Sequence, residues 1–176
     1  MSSPTPFSIR PAELRDVAPI VQLIRELAEF EKLTHLMQAT PEKLRPHLFG
    51  EKPVAEALVA EVPASSVAEG ESPVIAFALF FTNFSTFLAQ PGLYLEDLYV
   101  KPGHRRLGIG RALLMRLGKL ALERGCGRFE WSVLDWNENA IGFYRTLGAD
   151  VLPDWRICRV TGDALKAMAQ GSAQPA

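Results

Sequence analysis

The chain has 176 residues, 48% of them hydrophobic, so we expect one domain with a substantial core, since two would be crowded. A formal net charge of −1, with basic residues dispersed among acids, argues against general nucleic-acid binding. No apolar run approaches the roughly 18 to 20 residues of a membrane span, and the opening MSSPTP lacks the apolar segment of a secretion signal. We therefore expect a cytoplasmic protein away from membranes.

The apolar residues follow a pattern in which strands and helices alternate. In chain order the predicted elements are a strand at 7–10, helices at 17–31 and 41–49, strands at 57–62, 74–81 and 93–100, a helix at 109–124, a strand at 128–133, a helix at 138–147, a strand at 155–160 and a helix at 163–168. We expect one domain over residues 7–169, between a flexible leader at 1–6 and a disordered tail at 170–176. The alternation predicts a layered α/β architecture with helices packed on a mixed sheet.

Residue types at the helix ends support these boundaries. Asp16 can cap the first helix, Thr40 before Pro41 favours the start of the second, and Asn137 favours the start of the fourth. Gly125 is typical of a residue that ends a helix, here the third. Local chemistry thus places helix ends independently of apolar periodicity.

A basic loop spaced by glycines joins the strand at 93–100 to the helix at 109–124. The N–H groups that begin a helix have no partners inside it and lie at the positive end of its dipole, so they attract phosphate. Gly108 and Gly110 remove the Cβ atoms that would keep a diphosphate from those donors. Positive charge comes from Arg105, Arg106 and Arg111. The loop therefore predicts a pyrophosphate site.

Two common nucleotide-binding loops fit this segment poorly. The dinucleotide fingerprint requires a third Gly or Ala where Leu113 stands, and the P-loop requires a Gly-Lys-Ser/Thr sequence that the segment lacks. The segment is therefore predicted to be a pyrophosphate-binding loop of a kind other than these two.

Two stretches carry a resemblance to a known superfamily. YLEDLYVKPGHRRLGIGRALL at 94–114 resembles the coenzyme A loop of the GCN5-related N-acetyltransferases (GNAT), whose pattern Arg/Gln-x-x-Gly-x-Gly/Ala is met by Arg105, Gly108 and Gly110. LDWNENAIGFYRTLGA at 134–149 resembles the segment that follows in the same superfamily. Within it the chain is most similar to the diamine (spermidine/spermine) N-acetyltransferases, including thialysine acetyltransferase-like members. The shared segments are IRPA at 9–12, LIRELAEFE at 23–31, LVAEVP at 58–63, YLEDLYV at 94–100 and WNENAIGFY at 136–144.

The resemblance implies a fold and an activity. The fold is a single-domain GNAT fold, with a mixed, mostly antiparallel sheet of about six to seven strands, flanked by helices, whose central strands splay apart. The activity is transfer of acetyl from acetyl-CoA, by direct attack on the thioester, to a primary amine of a polyamine, a diamine or a thialysine-like amino acid. The resemblance also implies a homodimer. Another amine (an amino acid, an antibiotic or a protein terminus) and a catalytically silent coenzyme A-binding module stay open as alternatives.

The same resemblance assigns the contacts of the site. The residues expected to bind coenzyme A are Leu98, Tyr99, Val100, Arg105, Arg106, Leu107, Gly108, Ile109, Gly110, Arg111, Asn137, Ala140 and Tyr144. The residues expected to contact the acceptor are Phe30, Glu31, Glu96, Glu130, Trp131, Ser132 and Asp154. The histidines at 35, 47 and 104 are scattered without ligand spacing, so we expect no metal.

Acetyl transfer to an amine needs two proton transfers. An alkylammonium with a pKa of about 10.4 is only about 0.04% neutral at pH 7, so its deprotonation costs roughly 4.6 kcal/mol. Glu96 is expected to take that proton, through water, and to attract the cation. By resemblance, Tyr144 lies beside the thioester sulfur and protonates the leaving thiolate. Because neighbouring side chains of a regular strand point to opposite faces, Glu96 and Asp97 are not expected to line the same one.

Overall fold

The computed structural model describes residues 6–171, so the predicted leader apart from Pro6 and the predicted tail beyond Gly171 lie outside the described residues. In chain order the elements are β1 Ser8–Pro11, α1 Val17–Phe30, α2 Pro41–Phe49, β2 Glu56–Glu61, β3 Val74–Ser85, β4 Gln90–Val100, α3 Ile109–Glu123, β5 Arg128–Trp131, α4 Glu138–Arg145 and α5 Gly162–Ala169. They form two compact units, the first ending at Ser132 and the second beginning at Val133. The five strands and α1 to α3 belong to the first unit, and α4 and α5 belong to the second.

The first unit contains one sheet with the strand order β1-β2-β3-β4-β5. The pairs β1–β2, β2–β3 and β3–β4 are antiparallel, whereas β5 joins β4 in parallel after the α3 crossover. The sheet is therefore mixed and mostly antiparallel, as the resemblance implies. It has five strands in the described chain, fewer than the six to seven expected.

The predicted strand at 155–160 does not form. The segment has neither strand nor helix, and its apolar side chains are largely exposed, 76% for Trp155 and 70% for Ile157. A β-like composition cannot make a strand alone, because each strand needs a neighbour to take up its backbone hydrogen bonds. The prediction was wrong because, within residues 6–171, this segment has no such neighbour.

The centre of the core is β3, which is buried at every residue from Val74 to Phe80, as expected for a strand covered on both faces. From α1, Ile20, Leu23 and Leu27 join one buried cluster with Phe77 of β3. The buried side chains of α3 are Ile109, Leu113, Leu114, Leu117 and Ala121. This stripe holds α3 on the sheet and so fixes where the helix begins.

Two of the predicted helix caps are present. Thr40 Oγ1 accepts a hydrogen bond from Lys43 N at 3.3 Å, with Pro41 in the first turn of α2. Asn137 Oδ1 accepts a hydrogen bond from Ala140 N at 3.2 Å and caps α4. The helices are short, and none within residues 6–171 is both long and apolar enough to cross a bilayer.

Asp16 has a different partner from the one expected. Its carboxylate does not cap α1. It accepts instead from the Glu13 amide at 2.7 Å and from Arg10 at 2.6 Å, and Arg10 also pairs with Glu61 of β2 at 2.7 Å. The two carboxylates raise the pKa of Arg10 above its usual value through their hydrogen bonds. This partly buried network joins β1, β2 and the start of α1.

Candidate active site

The loop before α3 presents backbone donors at the end of β4. Gly108 precedes the first residue of α3 with a φ of +82°, a left-handed conformation that glycine adopts without strain. Within the described chain no side chain caps this helix start, and the first bond along the helix runs from Ala112 N to Gly108 O at 2.9 Å. The N–H groups of Ile109, Gly110 and Arg111 therefore have no partner inside the helix.

The two loop glycines have different surroundings. A Cβ atom at Gly110 would lie 3.7 Å from Leu98 Cδ2 and 3.9 Å from Val100 Cγ2, which are ordinary contact distances. At Gly108 the same atom would meet nothing within 4 Å. The start of α3 thus lies against the last residues of β4 on one side and has open space on the other.

The strands β4 and β5 separate part-way along β4. Their parallel pairing begins with Gly92 and Arg128 and ends with Leu95 and Trp131. In the described chain, residues 97–100 pair only with β3. Because β5 ends at Trp131, the later part of β4 has one backbone edge without a strand partner, beside the start of α3.

A β-bulge at Glu96 marks the point of separation. Leu95 pairs with Phe80 and Asp97 pairs with Leu79, so Glu96 has no opposite residue on β3. The regular alternation assumed for this pair of acids therefore does not hold. Glu96 is exposed, whereas Asp97 is half-buried.

Asp97 lines a small cavity together with Glu31. The cavity has a volume of about 160 Å³ and is bounded by the end of α1, the turn that follows it and β4. Its walls are otherwise apolar and include Leu27, Leu36 and Met37. Pockets for drug-sized ligands are typically about 300 to 1,000 Å³, so this space suits one part of a small molecule.

The carboxyl groups of this cavity have a reduced tendency to ionise. Burial, and then the charges of Glu96 and Glu31, raise the pKa of Asp97 to about 6. Burial raises the pKa of Glu31 as well. A cation would relieve both the desolvation and the repulsion, so the cavity is suited to a positively charged group. Asp97 was not among the predicted contact residues, although its acidic side chain, together with those at 31, 96 and 154, favours a cationic acceptor.

The predicted acceptor residues at the end of the sheet are Glu130, Trp131 and Ser132. Glu130 is paired with Arg128 at 2.8 Å and accepts a hydrogen bond from Asn83 Nδ2 at 3.2 Å. Ser132 Oγ lies 2.8 Å from the Tyr94 hydroxyl. The polar side chains at 130 and 132 are therefore engaged within the unit, and Trp131 is the last residue paired with β4.

Arg105 extends from the loop back towards α1. Its guanidinium carbon lies 5.0 Å from the centre of the Phe30 ring and 5.5 Å from that of Tyr99, and its Nε donates to Val100 O at 3.0 Å. Tyr99 is buried, while Leu98 and Val100 are half-buried. The other loop side chains predicted to contact the cofactor, Arg106, Leu107 and Arg111, are exposed.

The second unit carries the predicted acid, Tyr144, on α4. This side chain is half-buried, and its ring centre lies 5.6 Å from that of Phe143. The cap made by Asn137 with the Ala140 amide fixes the start of the same helix. Asp154 lies in the exposed irregular segment after α4.

The arrangement in the first unit fits coenzyme A. Unpartnered N–H groups at a helix start suit a diphosphate, and an open strand edge suits an arm that contains amides. Residues 6–171 contain no group of three or more His, Cys, Asp or Glu side chains placed to hold a metal ion.

Comparison with known proteins decides the family. The chain matches the Acetyltransferase (GNAT) family over residues 24–149, a range that contains the bulge, the glycine loop and α4. The chain is a GNAT acetyltransferase. A thialysine N-epsilon-acetyltransferase from Mus musculus is 41% identical to this GNAT chain over 165 residues, which cover 92% of the chain and 96% of the relative. The L-ornithine N5-acetyltransferase NATA1 from Arabidopsis thaliana is 37% identical over 197 residues, which cover 91% of this chain and 86% of the relative.

These relatives confirm the predicted family and identify this GNAT protein as an N-acetyltransferase. Among solved structures, an integron cassette protein from V. cholerae superposes with a TM-score of 0.72 at 23% identity, covering 93% of this chain and 98% of the other. At that identity the likeness shows the GNAT fold alone.

Proposed function

We propose that this enzyme transfers the acetyl group of acetyl-CoA to a primary amine of a small cationic acceptor, which is a polyamine, a diamine or an amino acid such as thialysine. The observation that carries the acceptor class is the pair Asp97 and Glu31 in an otherwise apolar cavity that reaches β4. One relative is named a thialysine N-epsilon-acetyltransferase and another an L-ornithine N5-acetyltransferase.

We assign the cofactor to the glycine loop and the open edge of β4. The N–H groups of Ile109, Gly110 and Arg111 donate to the diphosphate, and Gly108 leaves room for its approach. Backbone groups of residues 98–100 hold the pantetheine arm. Acetyl-CoA bound in this way supplies an acetyl group that is already activated as a thioester.

The acceptor cation binds at the cavity. Asp97 and Glu31 attract its positive charge, and apolar walls such as Leu27 and Leu36 pack against its methylene groups. Because a buried carboxylate is stabilised by an opposite charge, binding of the ammonium returns Asp97 towards its ordinary pKa. The site therefore discriminates against neutral acceptors.

Glu96 takes the proton of the attacking amine through water. Its carboxylate is exposed at the bulge, so solvent can carry the proton to it. The bulge lies where β4 leaves β5, at the end of the open edge assigned to the cofactor. Glu96 therefore accepts the proton, whereas its neighbour Asp97 binds the positive charge of the acceptor.

Tyr144 protonates the leaving sulfur, and Asn137 and Ala140 contact the cofactor near it. The support is the match of residues 134–149 to the family segment that carries a tyrosine in this place. A phenol with a reference pKa of about 10 is a suitable acid for a thiolate whose reference pKa is about 8.5. Capping by Asn137 holds the helix that presents the phenol.

Further acceptor contacts come from Glu130, Trp131, Ser132 and Asp154. Since the Glu130 and Ser132 side chains already have partners, we assign their backbone groups to the acceptor. Asp154 has an exposed carboxylate that can attract a second ammonium of a longer polyamine.

We further propose that the enzyme is a homodimer. The support is the exposed apolar segment of the second unit, in which Trp155, Ile157 and Val160 are 76%, 70% and 46% exposed. A second copy covering these side chains would remove them from water. Light scattering of the purified protein tests this, and a monomer at micromolar concentration would contradict it.

The acetyl-transfer proposal is tested by following free thiol while acetyl-CoA is mixed with spermidine, putrescine, L-ornithine or thialysine. We expect thiol release with at least one of them, and slower release with an aminoglycoside or a peptide. Coenzyme A binding without thiol release for any amine would identify a silent binding module and overturn the proposal.

The assignment of the acid is tested with Tyr144→Phe. We expect kcat to fall by about 100-fold or more with little change in the KM for acetyl-CoA, because only the proton donor is removed. Tyr94→Phe is the matched control, since it removes a hydroxyl that bonds to Ser132, and its effect should be much smaller. Unchanged turnover in Tyr144→Phe would exclude the role.

A further inference from the structure

We infer that the side chain of Arg105 is a positioning group that ties the cofactor loop to the acceptor end of α1, and that it is not a ligand of the diphosphate. The inference rests on the proposed function, in which the loop holds acetyl-CoA and the cavity with Glu31 holds the acceptor.

The guanidinium of Arg105 is held by two aromatic rings. Its distances of 5.0 Å to Phe30 and 5.5 Å to Tyr99 lie within the roughly 6 Å over which a cation and a ring attract each other. Its planar shape allows stacking that an ammonium group cannot make. Tyr99 is buried in the core cluster, so it provides a fixed surface, whereas Phe30 is 41% exposed at the end of its helix.

Hydrogen bonds hold both the guanidinium group and the backbone of Arg105. Its Nε donates to Val100 O at 3.0 Å, and its backbone N donates to Pro102 O at 3.2 Å. To bind a phosphate at the start of α3, the guanidinium would have to leave both rings and the Val100 carbonyl. Arg106 and Arg111 are exposed and can supply positive charge without such a loss.

The position of Phe30 makes this contact relevant to the acceptor. Phe30 is the last residue of α1, and Glu31, the next residue, lines the cavity. A contact that holds the Phe30 ring therefore also holds the backbone that presents the Glu31 carboxylate. Arg105 therefore helps to hold the acceptor site in place.

A conservative substitution separates the two roles. Arg105→Lys keeps a charge that binds phosphate but loses the planar stack. We expect the acceptor KM to rise about 2- to 5-fold, the range of an exposed cation–π contact, with a smaller change in the KM for acetyl-CoA. A rise in the KM for acetyl-CoA with an unchanged acceptor KM would identify Arg105 as a phosphate ligand and overturn the inference.

A double-mutant cycle tests the contact itself. Phe30→Leu keeps apolar bulk but removes the ring, so Arg105→Lys should have little further effect on the acceptor KM in that background. The matched control is Arg106→Lys, the same change one residue along the loop. The fold-change that it causes in the acceptor KM should be the same with and without Phe30→Leu. If Arg105→Lys also causes the same fold-change in the acceptor KM with and without Phe30→Leu, the inference is overturned.

Thermal unfolding without ligands keeps this test separate from the proposed function. The changes in melting temperature should be non-additive when Arg105→Lys is combined with Phe30→Leu. They should be additive when Arg106→Lys is combined with Phe30→Leu. This pattern can be measured even if no amine is acetylated. Additive melting temperatures in a protein that does acetylate amines would overturn the Arg105 inference alone.

Discussion

The two ends of the proposed reaction path in the first unit differ in what they are made of. The start of α3 offers main-chain N–H groups next to Gly108, which has open space around it, whereas the cavity at the end of α1 offers the carboxylates of Asp97 and Glu31. Main-chain donors at a helix start are already oriented and need no side-chain partner. The carboxylates are desolvated and repel each other, as the raised pKa of Asp97 shows.

The two ends are therefore sensitive to different kinds of substitution. The anion end depends on backbone conformation, so a change of conformation should damage it while many side-chain changes should not. The cation end depends on charge held against a desolvation cost, so removal of the charge should damage function and stabilise the fold.

Among changes at these two ends, the largest effect is expected at Gly108. A β-branched residue at a φ of +82° is strained by about 1 to 3 kcal/mol, and relief of that strain turns the loop N–H groups away. For Gly108→Val, initial-rate kinetics should show kcat/KM for acetyl-CoA reduced about 100-fold, the upper end of that range. Gly103→Val is the control, because Gly103 has an ordinary φ and open space around it. If both changes lower kcat/KM for acetyl-CoA equally, the backbone conformation at Gly108 has no special role.

The next effect separates the two acids. Asp97→Asn should raise the acceptor KM about 10-fold, since a hydrogen bond to a charged group contributes about 1.5 to 3 kcal/mol. Glu96→Gln should instead lower kcat with a smaller change in KM, because it removes the proton acceptor. Steady-state kinetics with the best amine measure both. If Glu96→Gln raises KM and Asp97→Asn lowers kcat, their assigned roles are reversed.

Asp97 should also cost stability at neutral pH. Its carboxyl has a pKa of about 6 in the folded chain against 3.8 as reference, so it binds its proton more tightly when folded. The contribution of this carboxyl group to the free energy of unfolding is fully present below its reference pKa of 3.8 and is lost as the pH rises through its folded pKa of about 6. At pH 7.5, Asp97→Asn should therefore raise the free energy of unfolding by about 1 kcal/mol, or roughly 2 to 4 °C in Tm. The gain should vanish near pH 4, and a gain that persists there would contradict the cause.

The smallest effect is expected at Gly110. A Cβ there makes only ordinary contacts with Leu98 and Val100, and alanine favours a helix more than glycine does. Gly110→Ala should change the KM for acetyl-CoA by less than about 2-fold and raise Tm slightly. A loss as large as that of Gly108→Val would mean that the diphosphate approaches at 110.

The features that sequence predicted best depend on local residue chemistry. The glycine loop was predictable because a left-handed residue before a helix and an open approach both require glycine at 108. The caps at Thr40 and Asn137 followed from side chains that bond within three residues. Apolar periodicity placed α1 and α3 correctly because each has one buried face.

The features that sequence missed depend on distant partners. The bulge at Glu96 arises from the register between β3 and β4, so strand alternation could not show which acid faces the cavity. The run at 155–160 has β-like residues, but pairing needs a neighbour that composition does not supply. The roles of Glu96 and Tyr144 stay predictions, since they depend on bound substrates.

Residues 97–100 of β4 have main-chain groups on one side that no second strand pairs with in the described chain. Such an edge can recruit another polypeptide by β-pairing, and proteins usually protect it. A molecule lying along this edge would shield it as well as react there. Depletion of acetyl-CoA in a cell would then leave the enzyme both idle and more prone to aggregation.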